Sequence, residues 1–232
     1  MNPETKFTEE LKRKAAYAAV KHVKDGFVVG LGSGSTAAYA IEALGERTKH
    51  ENLRLLAVPT SYQAFLLAVK WGIAVTTLDE HPVIDVTIDG ADQIDPKLNL
   101  IKGMGAALAR EKIVASVSKQ NVIIADESKK VAVLGENNHP VPVEVLPFAI
   151  AAVKRKIEAF GGRAFLREGK GKLGPVITDN GNAVIDVVFG VIRNAAELEK
   201  KLKMIPGVVE TGLFIGLANT AYIGTPSKVE KL

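Results

Sequence analysis

Short apolar runs separated by longer amphipathic stretches set the rhythm of the first half of the chain. Phe27-Val28-Val29-Gly30-Leu31, Leu53 to Val58, Ile73-Ala74-Val75, Val83 to Ile88 and Asn121 to Asp126 are β-branched or apolar and flanked by turn residues, as buried strands are. Thr8 to about Lys24, Ser35 to about Arg47, Ser61 to about Trp71 and Ala106 to Ser118 carry the helical period instead. The first of these puts Ala15, Ala18, Ala19 and Val23 on its buried side, and Gly72 stops the third. Strands alternating with helices predict an α/β fold with a doubly wound, mostly parallel sheet.

The rhythm changes near Gly135. Pro140 to Val145 reads as a strand, residues 147 to 160 as a helix and Arg163 to Arg167 as a strand. Pro175 to Thr178 and Ala183 to Phe189 read as a hairpin about Asp179-Asn180-Gly181-Asn182, because Asn-Gly favours a tight turn. A charged helix, Ala195 to Met204, and a last run, Pro206 to Glu210, complete an α+β module of the ferredoxin-like, split βαβ kind. Leu213 to Leu217 and Ala221 to Gly224 are apolar again and are expected to rejoin the first sheet. The expected organisation is therefore a larger domain of residues 1–134 plus 211–232, with residues 135–210 inserted as a smaller domain at a subunit interface.

Composition narrows the functions. The 232 residues are 47% hydrophobic, enough for a substantial core. Lys and Arg number 30 against 26 Asp and Glu, a mild excess that suits a small anion, but it is spread without the dense basic tract of a nucleic-acid arm. Cysteine is absent, which removes disulfides, thiolate metal sites and a cysteine nucleophile. His22, His50, His81 and His139 do not pair at metal-ligand spacing. Met1 to Phe7 is polar, and no run approaches ~18 uninterrupted apolar residues. The expectation is a cytoplasmic protein with no metal, no nucleic acid and no membrane among its partners.

Three segments carry candidate chemistry. Gly32-Ser33-Gly34-Ser35-Thr36 lies between a strand and a helix, where backbone N–H groups and hydroxyls can meet a phosphate at the positive end of the helix dipole. There is no Lys between Gly34 and Thr36 for a nucleoside-triphosphate loop. The second strand ends in Pro59-Thr60-Ser61 rather than in the acidic residue of a dinucleotide fold. A sugar phosphate or similar phosphoester remains; a glycine turn needed only for packing is the alternative. Asp89-Gly90-Ala91-Asp92 follows the strand Val83 to Ile88, at the edge where open α/β sheets bind ligands.

The third segment is Lys102-Gly103-Met104-Gly105 with the helix after it. Projected at roughly 100° per residue, that helix centres Glu111 among Ala107, Leu108, Val114, Ala115 and Ser118. Ala106, Ala109, Ile113 and Val117 make a second apolar side, and Arg110 and Lys112 on the flanks are expected to reach solvent. A carboxylate on an apolar stripe is desolvated, which draws its proton affinity toward neutrality and suits a general base. The alternative is a partly exposed Glu111 paired with Arg110 or another basic group.

Gly30 to Thr36, Pro59-Thr60-Ser61, Asp89 to Asp92, Lys102 to Leu108, Arg110-Glu111-Lys112 and Asp126-Glu127-Ser128-Lys129, in this order, resemble the type A ribose-5-phosphate isomerases. The resemblance runs from the first helix to the final strands. It implies a Rossmann-like sheet and the reversible isomerisation of D-ribose 5-phosphate to D-ribulose 5-phosphate in the pentose phosphate pathway, without metal or organic cofactor. It implies substrate contacts from Ser33, Gly34, Ser35, Thr36, Asp89, Gly90, Ala91, Asp92, Lys102, Gly103, Met104, Gly105 and Lys129, with Lys12 of the first helix reaching the phosphate. Glu111 matches the family's proton acceptor. A homodimer or homotetramer is implied as well. Ser33 stands where Thr is frequent and Met104 where Gly or Arg occurs; neither change removes a catalytic group.

The chemistry needs these residue types. Glu111 would carry the proton between C2 and C1 through an enediolate, as a glutamate does in another sugar-phosphate isomerase. Lys102 would stabilise the charge growing on the former carbonyl oxygen. Asp89 or Asp92 would move the hydroxyl proton and open the furanose ring, in an order the sequence leaves open; the alternative for Asp92 is to fix the loop holding Lys102. Two rival readings are a glucosamine-6-phosphate deaminase-like enzyme, for which no His accompanies the acidic motifs, and a non-catalytic sugar-phosphate sensor. The sensor would carry a helix-turn-helix, which the ~25 residues before the first strand do not supply.

Overall fold

The computed structural model describes residues 3–171 and 173–232. Met1 and Asn2, at the head of the polar N-terminal stretch, lie outside them. The chain divides into two compact units: one holds the residues up to Ala91, Arg110–Lys129 and Gly216–Leu232, the other Asp92–Ala109 and Lys130–Ile215. Residues 92–109, 130–134 and 211–215, assigned by the sequence pattern to the larger domain, thus group with the antiparallel module.

In chain order the elements up to that division are α1 (Pro3–Ala19), β1 (Val28–Leu31), α2 (Ser35–Glu51), β2 (Leu56–Pro59), α3 (Tyr62–Trp71), β3 (Ala74–Val75) and β4 (Val86–Gly90). Short strands β5 (Gln93–Ile94) and β6 (Leu100–Ile101) follow, then α4 (Leu108–Ser116) and β7 (Asn121–Asp126). The second unit continues with β8 (Val141–Val145), α5 (Ile150–Glu158), β9 (Arg163–Leu166), β10 (Ala183–Val188), α6 (Ala195–Lys203), β11 (Val208–Thr211) and β12 (Leu213–Phe214). The first unit is completed by β13 (Thr220–Gly224) and β14 (Val229–Lys231).

The first unit is built on a seven-stranded sheet ordered β14-β13-β7-β4-β1-β2-β3. Its strands run parallel except β14, which pairs antiparallel with β13. Val29, Leu31, Val86, Ile88, Val122 and Ile124 alternate onto a core shared with Ala15, Ala19, Ile41 and Leu44 of α1 and α2. Neighbouring strands β1 and β4 lead away in opposite directions across the sheet, so the strand order reverses between them. Crevices for ligands form at such a switch point, beyond the carboxyl ends of the strands.

The second unit has a four-stranded antiparallel sheet, β11-β8-β10-β9, and a three-stranded one, β12-β6-β5. Connected as β8-α5-β9-β10-α6-β11, the larger sheet has the split βαβ arrangement that the sequence pattern predicts. Val141, Val143 and Val145 meet Val153, Ile157, Ile185, Val187 and Leu202 in its core.

Several expectations change. Leu213 and Phe214 pair with β6 rather than the first sheet; of the two final runs only residues 220–224 rejoin it, beside β7. The Asn-Gly turn forms, with Gly181 donating to the Thr178 carbonyl at 2.9 Å, but Pro175 to Thr178 is not a strand. It makes isolated antiparallel bridges, Pro175 to Glu168 and Ile177 to Ala183, since Pro175 has no N–H to give a ladder; Thr178, Asn180 and Asn182 turn their side chains to Glu144. Helix α4 begins at Leu108, after Ala106 takes a left-handed φ of 60°, and its buried face runs through Leu108, Glu111 and Lys112, one turn apart. Lys112 is consequently buried (8% exposed) and Ile113 exposed (51%), the reverse of the projection. No helix among the described residues is long and apolar enough to cross a membrane.

Candidate active site

At the switch point the ends of β1 and β4 close on one another. Gly32 donates to the Ile88 carbonyl at 3.0 Å, continuing the ladder one residue beyond β1. A Cβ on Gly32 would stand 2.1 Å from Asp89 Oδ1 and 2.6 Å from its Cα, so only glycine lets the two strand ends meet. Asp89 is buried, and its Oδ1 accepts from the backbone N–H groups of Gly90 at 2.7 Å and Ser33 at 3.2 Å. The carboxylate thereby fixes the path of the glycine-rich loop.

That loop enters α2 at Gly34, whose φ of 97° is a left-handed value that glycine accepts without strain. The Ser33 hydroxyl donates to Ser61 Oγ at 2.6 Å and lies 2.8 Å from Thr60 Oγ1; Thr60 in turn donates to the Leu31 carbonyl at 3.0 Å. Ser61 also caps α3 by accepting from the Ala64 N–H at 3.1 Å. Lys12 of α1 reaches the Ser35 hydroxyl, with Nζ 3.2 Å away, while Glu9 holds the same ammonium at 2.7 Å. A hydroxyl, an ammonium and the start of a helix thus converge on Ser35, an arrangement that attracts a phosphate.

Glu111 belongs to the same unit, on α4, and is buried (5% exposed). Glu111 is thus not the partly exposed residue of the alternative reading. Lys129 is half-buried in the single turn Glu127–Lys129 after β7, which Asp126 stabilises by accepting from the Ser128 N–H at 3.0 Å.

In the second unit, Lys102 is buried (3% exposed), with its ammonium 5.4 Å from the centroid of the Phe214 ring and its N–H donating to the Gly212 carbonyl at 2.9 Å. Gly103 follows at a φ of 105°, where a Cβ would press to 2.9 Å from Leu108 Cβ. Asp92 Oδ2 accepts from the Met104 N–H at 3.1 Å. Asp92 therefore does hold the loop after Lys102, the alternative role left open above. Met104 and Gly105 are exposed.

Two further side chains touch these segments and carry no sequence signal. Gln63 accepts from the Gly34 N–H at 2.8 Å, and Arg167 donates to the Gly103 and Met104 carbonyls. Neither residue lies in a motif, and each reaches its target through the fold rather than through spacing. Among the described residues, no group of three or more His, Cys, Asp or Glu side chains is placed to hold a metal ion.

Comparison with known proteins bears on the fold and the family. The family model for ribose 5-phosphate isomerase A (phosphoriboisomerase A) matches residues 56–228. Ribose-5-phosphate isomerase A of Methanothermobacter thermautotrophicus is 53% identical, covering 93% of this chain and 94% of its own length. The human ribose-5-phosphate isomerase is 47% identical over 93% of this chain and 70% of its own. The solved ribose 5-phosphate isomerase A of Methanocaldococcus jannaschii superposes with a TM-score of 0.93 at 48% identity, covering 97% of this chain and 99% of that one. A D-ribose-5-phosphate isomerase solved in complex with phospho-erythronic acid gives 0.94 at 45% identity, over 100% and 99% of the two chains. From the closed β1–β4 junction to the full-length match, these observations agree, and the chain belongs to the ribose 5-phosphate isomerase A family.

Proposed function

We propose that the chain interconverts D-ribose 5-phosphate and D-ribulose 5-phosphate through an enediolate, with Glu111 as the base. Family membership along nearly the whole chain carries the reaction, and the burial of Glu111 supports its role. In the forward direction the Glu111 carboxylate takes the proton from C2, and the C2–H electron pair forms the C1=C2 bond of the enediolate. Glu111 then returns the proton to C1. The Lys102 ammonium, held in a fixed and buried place, stabilises the oxyanion more than mobile water would.

Asp89 and Asp92 divide the remaining proton transfers. Asp89 is held at the end of β4 by the backbone N–H groups of Gly90 and Ser33, and Asp92 by that of Met104, so both carboxylates are fixed in place for these transfers. The phosphate is assigned to Ser33–Thr36 and Lys12, where the hydroxyls and ammonium converge. A neighbour solved with phospho-erythronic acid, a phosphorylated sugar acid, supports a ligand of this class.

The same reading takes the reaction to be metal-independent and cytoplasmic, and the chain to act as a homodimer or homotetramer. Leu146, Phe148 and Met204 of the second unit are 49%, 103% and 81% exposed, and apolar surface of that kind favours self-association. Sedimentation of the purified protein measures the state directly.

The functional test follows ribose 5-phosphate turnover in EDTA for wild type and Glu111→Gln. The expected result is fast wild-type conversion and a loss of about 10²–10⁴-fold in kcat for the variant with KM little changed. Equal rates would move the base to Asp89 or Asp92. An inactive wild type that still binds the sugar phosphate would overturn the isomerase reading in favour of a sensor.

A further inference from the structure

The second unit contains a polar device that none of the motifs includes. Arg167, just beyond β9, directs its guanidinium two ways. Nε donates to Asp186 Oδ2 of β10 at 2.7 Å and Nη2 pairs with Asp186 Oδ1. Nη1 donates to the carbonyls of Gly103 and Met104, each at 2.9 Å. The pair is largely withdrawn from water, with side chains 11% and 20% exposed. Arg167 is itself anchored, its backbone N–H donating to the Val184 carbonyl at 2.9 Å.

The two peptides so held are those of the segment Lys102–Gly105. The peptide between Gly103 and Met104 is gripped at both ends, its carbonyl by Arg167 and its N–H by Asp92. The next peptide has its carbonyl on Arg167. In a trans peptide the N–H points opposite to the carbonyl, so this bond turns the Gly105 N–H away from the guanidinium. The positive φ of Gly103 and the left-handed φ of Ala106 leave the segment few intrinsic preferences to hold that orientation unaided.

We infer that Arg167, oriented by Asp186, is a positioning residue for the isomerase reaction, fixing the backbone of Lys102–Gly105 so that its amides and the Lys102 ammonium meet the substrate in one geometry. This rests on the isomerase reading. The role needs a planar fork that reaches a carboxylate and two carbonyls together, and a lysine ammonium of equal charge does not span them. Asp186 neutralises and orients the guanidinium without touching the segment.

The test compares wild type, Arg167→Lys, Arg167→Ala and Asp186→Asn for kcat and KM on ribose 5-phosphate, thermal midpoint, and calorimetric binding of 4-phosphoerythronate. Arg167→Lys is expected to lose ~10²-fold in kcat/KM, the scale of a small misplacement of catalytic groups. Its melting should stay close to wild type. Added guanidinium should restore part of the rate of Arg167→Ala, and ammonium should not. Those two results together separate positioning from mere folding. Arg167→Lys turning over at the wild-type rate, or rescue by both cations alike, would overturn the inference. Wild-type turnover is the control on the function itself: its absence would count against the isomerase reading, while 4-phosphoerythronate binding by Arg167→Lys at wild-type affinity would still count against the role of Arg167.

Discussion

Lys12 illustrates how one residue is aimed by another. Its ammonium lies between Glu9 Oε1 at 2.7 Å and Ser35 Oγ at 3.2 Å, and Tyr39 steadies Glu9 by donating to Oε2 at 2.8 Å. The hydrogen bond from Lys12, helped by that from Tyr39, holds the Glu9 carboxyl below the ordinary 4.5 against the opposing effect of burial. A folded-state value below the unfolded one stabilises the fold above pH 4.5, and the gain is lost as pH falls through the folded value. Glu9→Gln should therefore lose about 0.5 kcal/mol near neutrality and nothing in strong acid, as urea unfolding at a series of pH values would read. A constant difference across that range would show that Glu9 contributes by packing alone. At this scale Glu111 was legible, because a lone carboxylate amid apolar positions is conspicuous in any helical projection. Lys112 and Ile113 were misjudged because residue type was weighed over spacing: Lys112 lies one turn from Leu108 and shares its buried face, whereas Ile113 points away from it. Arg167 was illegible, since nothing in the sequence ties position 167 to carbonyls at 103 and 104.

At the scale of elements, the junction of β1 with β4 concentrates requirements that the sequence stated only in part. The glycine-rich turn was readable as a place for an anion; that Gly32 must also make room for Asp89 was not, because the clash arises across two strands. Gly32→Ala should force the strand ends apart and cost about 1–3 kcal/mol, with activity falling as Asp89 shifts. Thermal melts alongside turnover would check this, and a fully active, equally stable variant would contradict the close approach. Ser61→Ala removes the cap of α3 and should cost roughly 1 kcal/mol. In the second unit, Glu144 is fully buried and its Oε1 accepts from Thr178 at 2.9 Å, Asn180 at 3.0 Å and Asn182 at 2.8 Å. The Asn-Gly turn was legible from local chemistry, whereas the strand expected before it is reduced to isolated bridges, one of them at Pro175, which has no N–H to donate. Glu144→Ala should raise amide hydrogen exchange across residues 178–182, each lost buried bond costing about 1–3 kcal/mol. Unchanged exchange there would mean that the turn holds itself.

For the molecule as a whole, hydrophobic rhythm was enough to foresee a parallel sheet and an interposed antiparallel module, because burial of alternate faces dictates both. The division points were less accessible. Residues 92–109 contain only the two-residue strands β5 and β6 among loops, and such short pieces declare their allegiance through their partners. One of those partners is β12, distant in sequence. The first unit is assembled from three stretches of chain, and its strand β13 comes after the entire antiparallel module yet lies inside the sheet, between β7 and β14. On the ribosome, then, the order of synthesis and the order of completion differ. Until residues 220–224 emerge, β7 has an open edge and α1 lacks part of the surface it packs on, while the antiparallel module already has all its strands. A chain truncated after Ile215 should be prone to pair its open edge with a neighbour, so the growing polypeptide is most dependent on chaperones in the interval between completion of the antiparallel module and arrival of β13.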